Sequence, residues 1–201
     1  MSSQYNILQT FFSRALPLYT PQAEKFLATA NPDIFSEVSF RYTFSVEAMT
    51  KISHIIEDTA ASSPGIADFH VSFQKISRLL PQQQRYANLG RFVRGLFVYG
   101  ETDLPDSHLA FLPRAKFIDT AGTVLTDYWF VIAYGPGIGM TLLAEEIPSM
   151  AGQDRYYEGF YTFEQNVAYQ LISILHKIYP AQVSAPIPPE ALSQHELRPV
   201  A

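Results

Sequence analysis

Gly135-Pro136-Gly137-Ile138-Gly139 follows an apolar run, the position a phosphate-binding loop takes after a strand. Its third glycine comes one residue too early for a dinucleotide fingerprint. The apolar stretch that follows reads as a strand rather than a helix, so a bound phosphate would lack the helix N-terminus that normally holds it. Glycine and proline in this order fit a tight hairpin turn instead. A phosphate-ligand enzyme built on this loop stays open as a minor alternative. Two adjacent carboxylate pairs, Glu57-Asp58 and Glu145-Glu146, raise the question of acid–base chemistry. Such work needs carboxyls that converge in environments separating their pKa values. Neighbours on a strand point to opposite faces, so only one of Glu145 and Glu146 can enter any one pocket. The five histidines, at 54, 70, 108, 176 and 195, show no metal-binding spacing. No G-x-S-x-G is present to present a serine nucleophile. With no cysteine, thiolate catalysis, disulfides, cysteine-ligated zinc and cysteine-attached chromophores are excluded. Catalytic residues and a metal site are therefore not expected.

Binding chemistry is better provided for. Arg85, Arg91 and Arg94, with Tyr86, precede an apolar strand and read as a solvated helix face or as a cationic rim over an aromatic pocket. Trp129, the only tryptophan, sits in mid-strand, where an indole is buried or walls a pocket. The candidate ligand-binding residues are Phe73, Gln74, Arg85, Tyr86, Tyr99, Trp129 and Glu145, chosen for their places near strand ends and on the following helix.

The elements that position them are read from periodicity. Residues 3–16 form an amphipathic helix ended by Pro17. Thr20-Pro21 opens a second helix to about Ala30. Residues 38–45 read as a strand, and Ser45 caps a helix carrying Val46, Met49, Ile52, Ile55 and Ile56 on its apolar side. Strands follow at 66–73, 95–100, 116–119, 127–134 and 140–147, with a helix from Pro81 to about Phe92. Lys75–Leu80 fits neither state clearly. Residues 148–158 read as a polar loop and 159–162 as a short strand. Thr162-Phe163-Glu164-Gln165 fits a capping box for a last helix that ends near Pro180. The proline-rich tail, 181–201, is expected to be extended or disordered. This order predicts an α/β (α+β) fold: a mixed, largely antiparallel sheet with packed helices, two helices before it and one at its end. The organisation expected is a helical lead-in (1–35), a domain (36–180) and the tail (181–201).

Composition limits the function classes. The 201 residues carry a net charge of −5, and 16% are charged, against about 25% in ordinary domains. No basic footprint for nucleic acid appears. No stretch approaches the ~18 apolar residues of a membrane span, and the start is not a secretion signal. A cytoplasmic location is expected.

The order of segments resembles the DICT domain, a sensory module named for its occurrence with diguanylate cyclases and two-component systems, mainly in bacteria and especially cyanobacteria. The matching pieces are Ser45 to Asp58, Phe73-Gln74, Arg85-Tyr86 with Leu96–Gly100, Tyr128–Val131, Leu142–Glu145, and Gly159–Phe163 with the last helix. Together they span about residues 36–180. Family members commonly precede an output domain, and none is recognisable in this sequence. The resemblance implies a non-enzymatic sensory or regulatory role in bacterial signal transduction, with an unknown ligand. The partners expected are a signalling protein or output domain in trans, or a second copy in a homodimer. The resemblance names no cofactor. The alternative is a protein-interaction adaptor that works without a small ligand, through Phe11, Phe12 and its aromatic surface.

Overall fold

The computed structural model describes residues 6–29, 31–148 and 154–195. One eight-stranded sheet runs through it in the order β1-β2-β8-β7-β6-β3-β4-β5. The strands are β1 (Thr20–Gln22), β2 (Phe40–Ser45), β3 (Asp68–Lys75), β4 (Gly95–Glu101), β5 (Lys116–Asp119), β6 (Tyr128–Gly135), β7 (Ile138–Glu146) and β8 (Tyr156–Thr162). The four central pairings, β2–β8, β8–β7, β7–β6 and β6–β3, are antiparallel. The outer pairings, β1–β2, β3–β4 and β4–β5, are parallel. The mixed sheet expected from the element order is therefore present.

Helices cover both faces. On one side lie α3 (Val46–Ala61) and α4 (Gln83–Phe92); on the other lie α1 (Asn6–Ala15), α5 (Gln165–Ile178) and α6 (Pro189–His195). The short α2 (Lys25–Thr29) follows β1. Two cores result. Phe69, Val71, Val98, Val131, Leu142 and Tyr157 meet Met49, Ile52 and Ile56 of α3. Phe97, Tyr99, Phe130, Ile132, Leu143 and Phe160 meet Leu8, Phe12, Leu171 and Leu175. A sheet buried on both faces needs apolar side chains at successive positions, which is why β6 reads YWFVIAYG with little alternation.

Local chemistry sets the boundaries. The Ser45 hydroxyl accepts from the Ala48 amide at 3.4 Å and caps α3, as its sequence suggests. The GPGIG segment is a hairpin turn: Gly135 pairs with Ile138, and Gly137 sits at φ +68°, the proline-then-left-handed-glycine order of a type II turn. Gln165 at the start of α5 fills the space beside it, its side-chain amide donating to the Gly135 carbonyl at 2.8 Å.

Four expectations are corrected. The helix from Thr20 to Ala30 is instead β1 followed by one short helix; Pro21 tolerates this because it lies on an edge strand, where no ladder donor is needed on the open side. Thr162 does not cap α5. Glu164 takes the cap position, while the Thr162 hydroxyl accepts from the Glu164 amide two residues on, a local side-chain turn. The loop 148–158 already becomes β8 at Tyr156; Ser149–Gln153 lie outside the described residues. The tail is ordered as far as it is described. Val183 and Leu192 are buried, and α6 packs on α5. Its prolines keep it extended over 184–188, but two apolar anchors and the Tyr134 hydroxyl, which donates to the Ile187 carbonyl at 2.5 Å, tie it down. Residues 196–201 lie outside the described residues.

Candidate functional site

The α3–α4 face carries two polar clusters joined by consecutive residues of β3. The first is built on Glu57. By helical spacing Glu57 falls on the same stripe as Ser53, Ile56 and Ala60, so α3 drives a carboxylate inward, where it is 2% exposed. α4 answers it with adjacent residues. The Tyr86 hydroxyl donates to one Glu57 oxygen at 2.6 Å, and the Arg85 Nε donates to the other. The Arg85 Nη2 also donates to Asp58 at 2.6 Å and to the His54 carbonyl at 3.0 Å. Burial, then the Glu57 charge, pushes the Tyr86 phenol well above its ordinary range, so it acts as a fixed donor. Phe73 packs edge-on against Tyr86 with ring centroids 5.2 Å apart. Above the cluster opens a groove of about 710 Å³ between the helices, lined by His54, Glu57, Gln82, Arg85, Asn88 and Phe92.

The second cluster is built on Gln74, a buried residue at φ +58° where the β3–β4 register shifts. A left-handed conformation is unfavourable for glutamine and persists only where surroundings hold it. Here they do. The Gln74 Nε2 donates to Glu146 at 2.9 Å, while its carbonyl oxygen accepts from Tyr157 at 3.0 Å, Arg155 at 2.6 Å, and Arg78. Arg155 grips both Glu146 oxygens at 2.5 Å. Trp129 stands edge-on to Tyr157, centroids 5.3 Å apart.

Of the seven candidate residues, Phe73, Arg85 and Tyr86 meet in the first cluster, and Gln74 and Trp129 border the second. Tyr99 and Glu145 join neither. Strand alternation sends both to the α5 face, where Tyr99 meets His70, and Glu145 lies opposite Tyr128 in the β6–β7 register. The carboxylate that does reach Gln74 is Glu146. Its parity with Leu142 and Ala144, on the apolar α3 side, was the available signal. Glu57 had a signal too, its place on the helix stripe. Arg155 had none, since its position follows from how β8 pairs. Among the described residues no group of three histidines or carboxylates converges to hold a metal ion.

Glu145 and Glu146 have opposite electrostatics. Hydrogen bonds from Arg155 lower the Glu146 pKa, whereas burial raises that of Glu145. The stabilisation from Glu146 is present above the ordinary carboxylate value and is lost as pH falls through its lowered pKa. That from Glu145 is present below the ordinary value and is lost as pH rises through its raised pKa. At neutral pH, Glu146→Gln should lower the melting temperature and Glu145→Gln should raise it, each by a partly screened contribution of about 1 kcal/mol or less. Thermal melts at pH 7 and pH 4 check this; shifts of one sign for both variants would contradict the assignment.

The model of the DICT family, described as "Sensory domain in DIguanylate Cyclases and Two-component system", matches residues 34–147. The chain belongs to the DICT family. The matched DICT segment contains all of the α3–α4 groove, Gln74 and Glu146, but not Arg155, β8, α5 or the tail. DICT domains are sensory domains of signalling proteins, which sets the context of the α3–α4 face. No curated protein matches the chain. Among solved structures, a polyphosphate kinase from Porphyromonas gingivalis has a similar fold over 84% of this chain, at a TM-score of 0.51 and 13% identity. The chain spans 27% of that protein's chain, and the likeness concerns the fold alone. No helix among the described residues is long and apolar enough to cross a membrane.

Proposed function

We propose that this DICT domain is a non-enzymatic sensory module of bacterial signal transduction that works in the cytoplasm and receives its signal, a ligand or a docked partner, in the α3–α4 groove. The observation that carries this is the Glu57–Arg85 pair at the groove floor. It sets a fixed cation, two carboxylates and an aromatic base beside open space, inside the segment the family shares. A large pocket with a few convergent polar groups is the usual form of a binding site.

Asn88 is exposed at the groove and takes no part in the ion pair. Asn88→Arg should fill the mouth and leave the fold intact. Native mass spectrometry of protein from its own cells, with in-cell photocrosslinking from position 84 at the exposed rim of the groove, should show a bound molecule or a signalling protein that the variant lacks. Equal occupancy in parent and variant would remove the groove from consideration. Trp129→Phe tells a groove-only site from a wider pocket that also includes Gln74 and Trp129.

The adaptor alternative keeps one observation in its favour. Ile7, Phe11, Leu18 and Ile174 line a groove of about 560 Å³ between α1 and α5, with Leu18 79% exposed. Phe12 cannot serve there, because it is buried against Tyr128 and Phe160.

A further inference from the structure

A third cavity lies on the opposite face. Its floor is formed by the starts of β3, β4 and β5: Asp68 and His70, Gly95 and Phe97, and Lys116. Tyr134 and Ile172 complete the walls, and the extended segment 184–187 crosses it as a strap. The enclosed space is about 430 Å³, within the range of small-molecule sites.

Its charge is unlike the rest of the chain. In a protein of net charge −5, Arg94, Arg114 and Lys116 all line this one cavity. Asp68 neutralises Arg94 through a two-pronged pair, Nε to Oδ1 at 3.0 Å and Nη2 to Oδ2 at 2.5 Å. Among the described residues no carboxylate lies within ion-pair distance of Arg114 or Lys116. Lys116 is also placed. Its ammonium lies over Phe97, 5.1 Å from the ring centroid, and the same ring stacks on His70 at 4.3 Å.

His70 supplies a polar group without a charge. It is 1% exposed, and burial lowers its pKa to about 3, against the raising charge of Asp68 and with Lys116 acting in the lowering direction. Its Nδ1 is tied to the Tyr99 hydroxyl at 2.9 Å. The ring is therefore neutral and held in one orientation at the cavity wall. Flat aromatic walls, one neutral imidazole and two unneutralised cations suit a ligand with an apolar or aromatic body and an anionic end.

We propose that this cavity binds a small organic anion, a carboxylate or phosphate ester on a flat or apolar body, beneath the C-terminal strap. Arg114 and Lys116 hold the anion, and Phe97 and Tyr134 flank the body. The strap, anchored by Tyr134 to the Ile187 carbonyl, by His176 to the Val183 carbonyl at 2.7 Å, and by the buried Val183 and Leu192, closes the site. The cavity shares no lining residue with the α3–α4 groove, so the two sites are distinct.

Calorimetric titration of the full chain with phenyl phosphate and with benzoate tests it, with benzyl alcohol as the uncharged control. Both anions should bind at millimolar concentration or better and the alcohol should not. The double variant Arg114→Ala/Lys116→Ala should weaken binding by about tenfold or more, as expected for the loss of two charge-assisted contacts. Both side chains are exposed, so its melting temperature should match the parent's. Asn88→Arg should leave this binding unchanged, which separates it from the groove. No binding of either anion, binding of the alcohol as strong as theirs, or full binding by a folded double variant would each overturn the proposal.

Discussion

Deletion of residues 1–22 should destabilise the domain by about 5 kcal/mol or more, a large part of the ~5–15 kcal/mol that holds a domain folded. Leu8, Phe12, Ala15 and Tyr19 are all buried in the α5-side core. Phe12 packs edge-on to Tyr128 at 5.6 Å, and Tyr19 stacks on Phe160 at 4.9 Å. Each large side chain withdrawn from such a core forfeits about 1.5–3 kcal/mol of burial. The deletion also strips β1 from β2 and leaves a bare sheet edge, which invites self-association. Urea unfolding followed by Trp129 fluorescence measures the loss, and light scattering the association. Phe12→Ala, about 3–5 kcal/mol by itself, keeps the edge covered and separates the two effects. An unchanged urea midpoint in both variants would show that α1 is dispensable. Because this lead-in carries core, loss of a complex on truncation would not by itself support the adaptor alternative.

Arg85→Ala should cost about 3 kcal/mol, at the lower end of the ~3–5 kcal/mol for breaking a buried pair because Arg85 is partly exposed. The variant strands the Glu57 carboxylate, 2% exposed, with only the Tyr86 hydroxyl as donor. The signature is recovery: adding Glu57→Leu and Tyr86→Phe together to Arg85→Ala should restore much of the loss, since neither a buried carboxylate nor a buried hydroxyl is then left without a partner. Tyr86→Phe, which removes one donor and leaves the ion pair, should cost about 1–2 kcal/mol. Urea titrations of the single and combined variants give the coupling directly. Strictly additive losses would mean that Arg85 and Glu57 do not depend on one another.

The family, the mixed sheet and most element positions were legible in the sequence, because apolar periodicity, Ser45 as a cap and the GPGIG turn are local signals. Of the seven residues placed in one pocket from the sequence, only Phe73, Arg85 and Tyr86 meet around Glu57, through the packing of β3 against α4. What local signals could not carry is which face a residue reaches once both faces are buried. In β7 the apolar pattern hardly alternates, so the parity of Glu146 with Leu142 and Ala144 placed it on the α3 side only once the strand's register was known, and the alternation of β3 by itself would have sent Gln74 to the other face. Pairing register decided that, together with the backbone kink at Gln74. Thr20–Gln22 became a strand because β2 offered an open edge, and the proline-rich tail became a strap because Tyr134, Val183 and Leu192 tie it down. Local periodicity, caps and turns account for most of the elements and for the kind of module they build. The tertiary structure decided which charged groups share a space: Glu57 with Arg85, Glu146 with Arg155, and Arg114 with Lys116 beneath the tail. Those meetings depend on contacts between residues far apart in the chain, and spacing along the chain does not encode them.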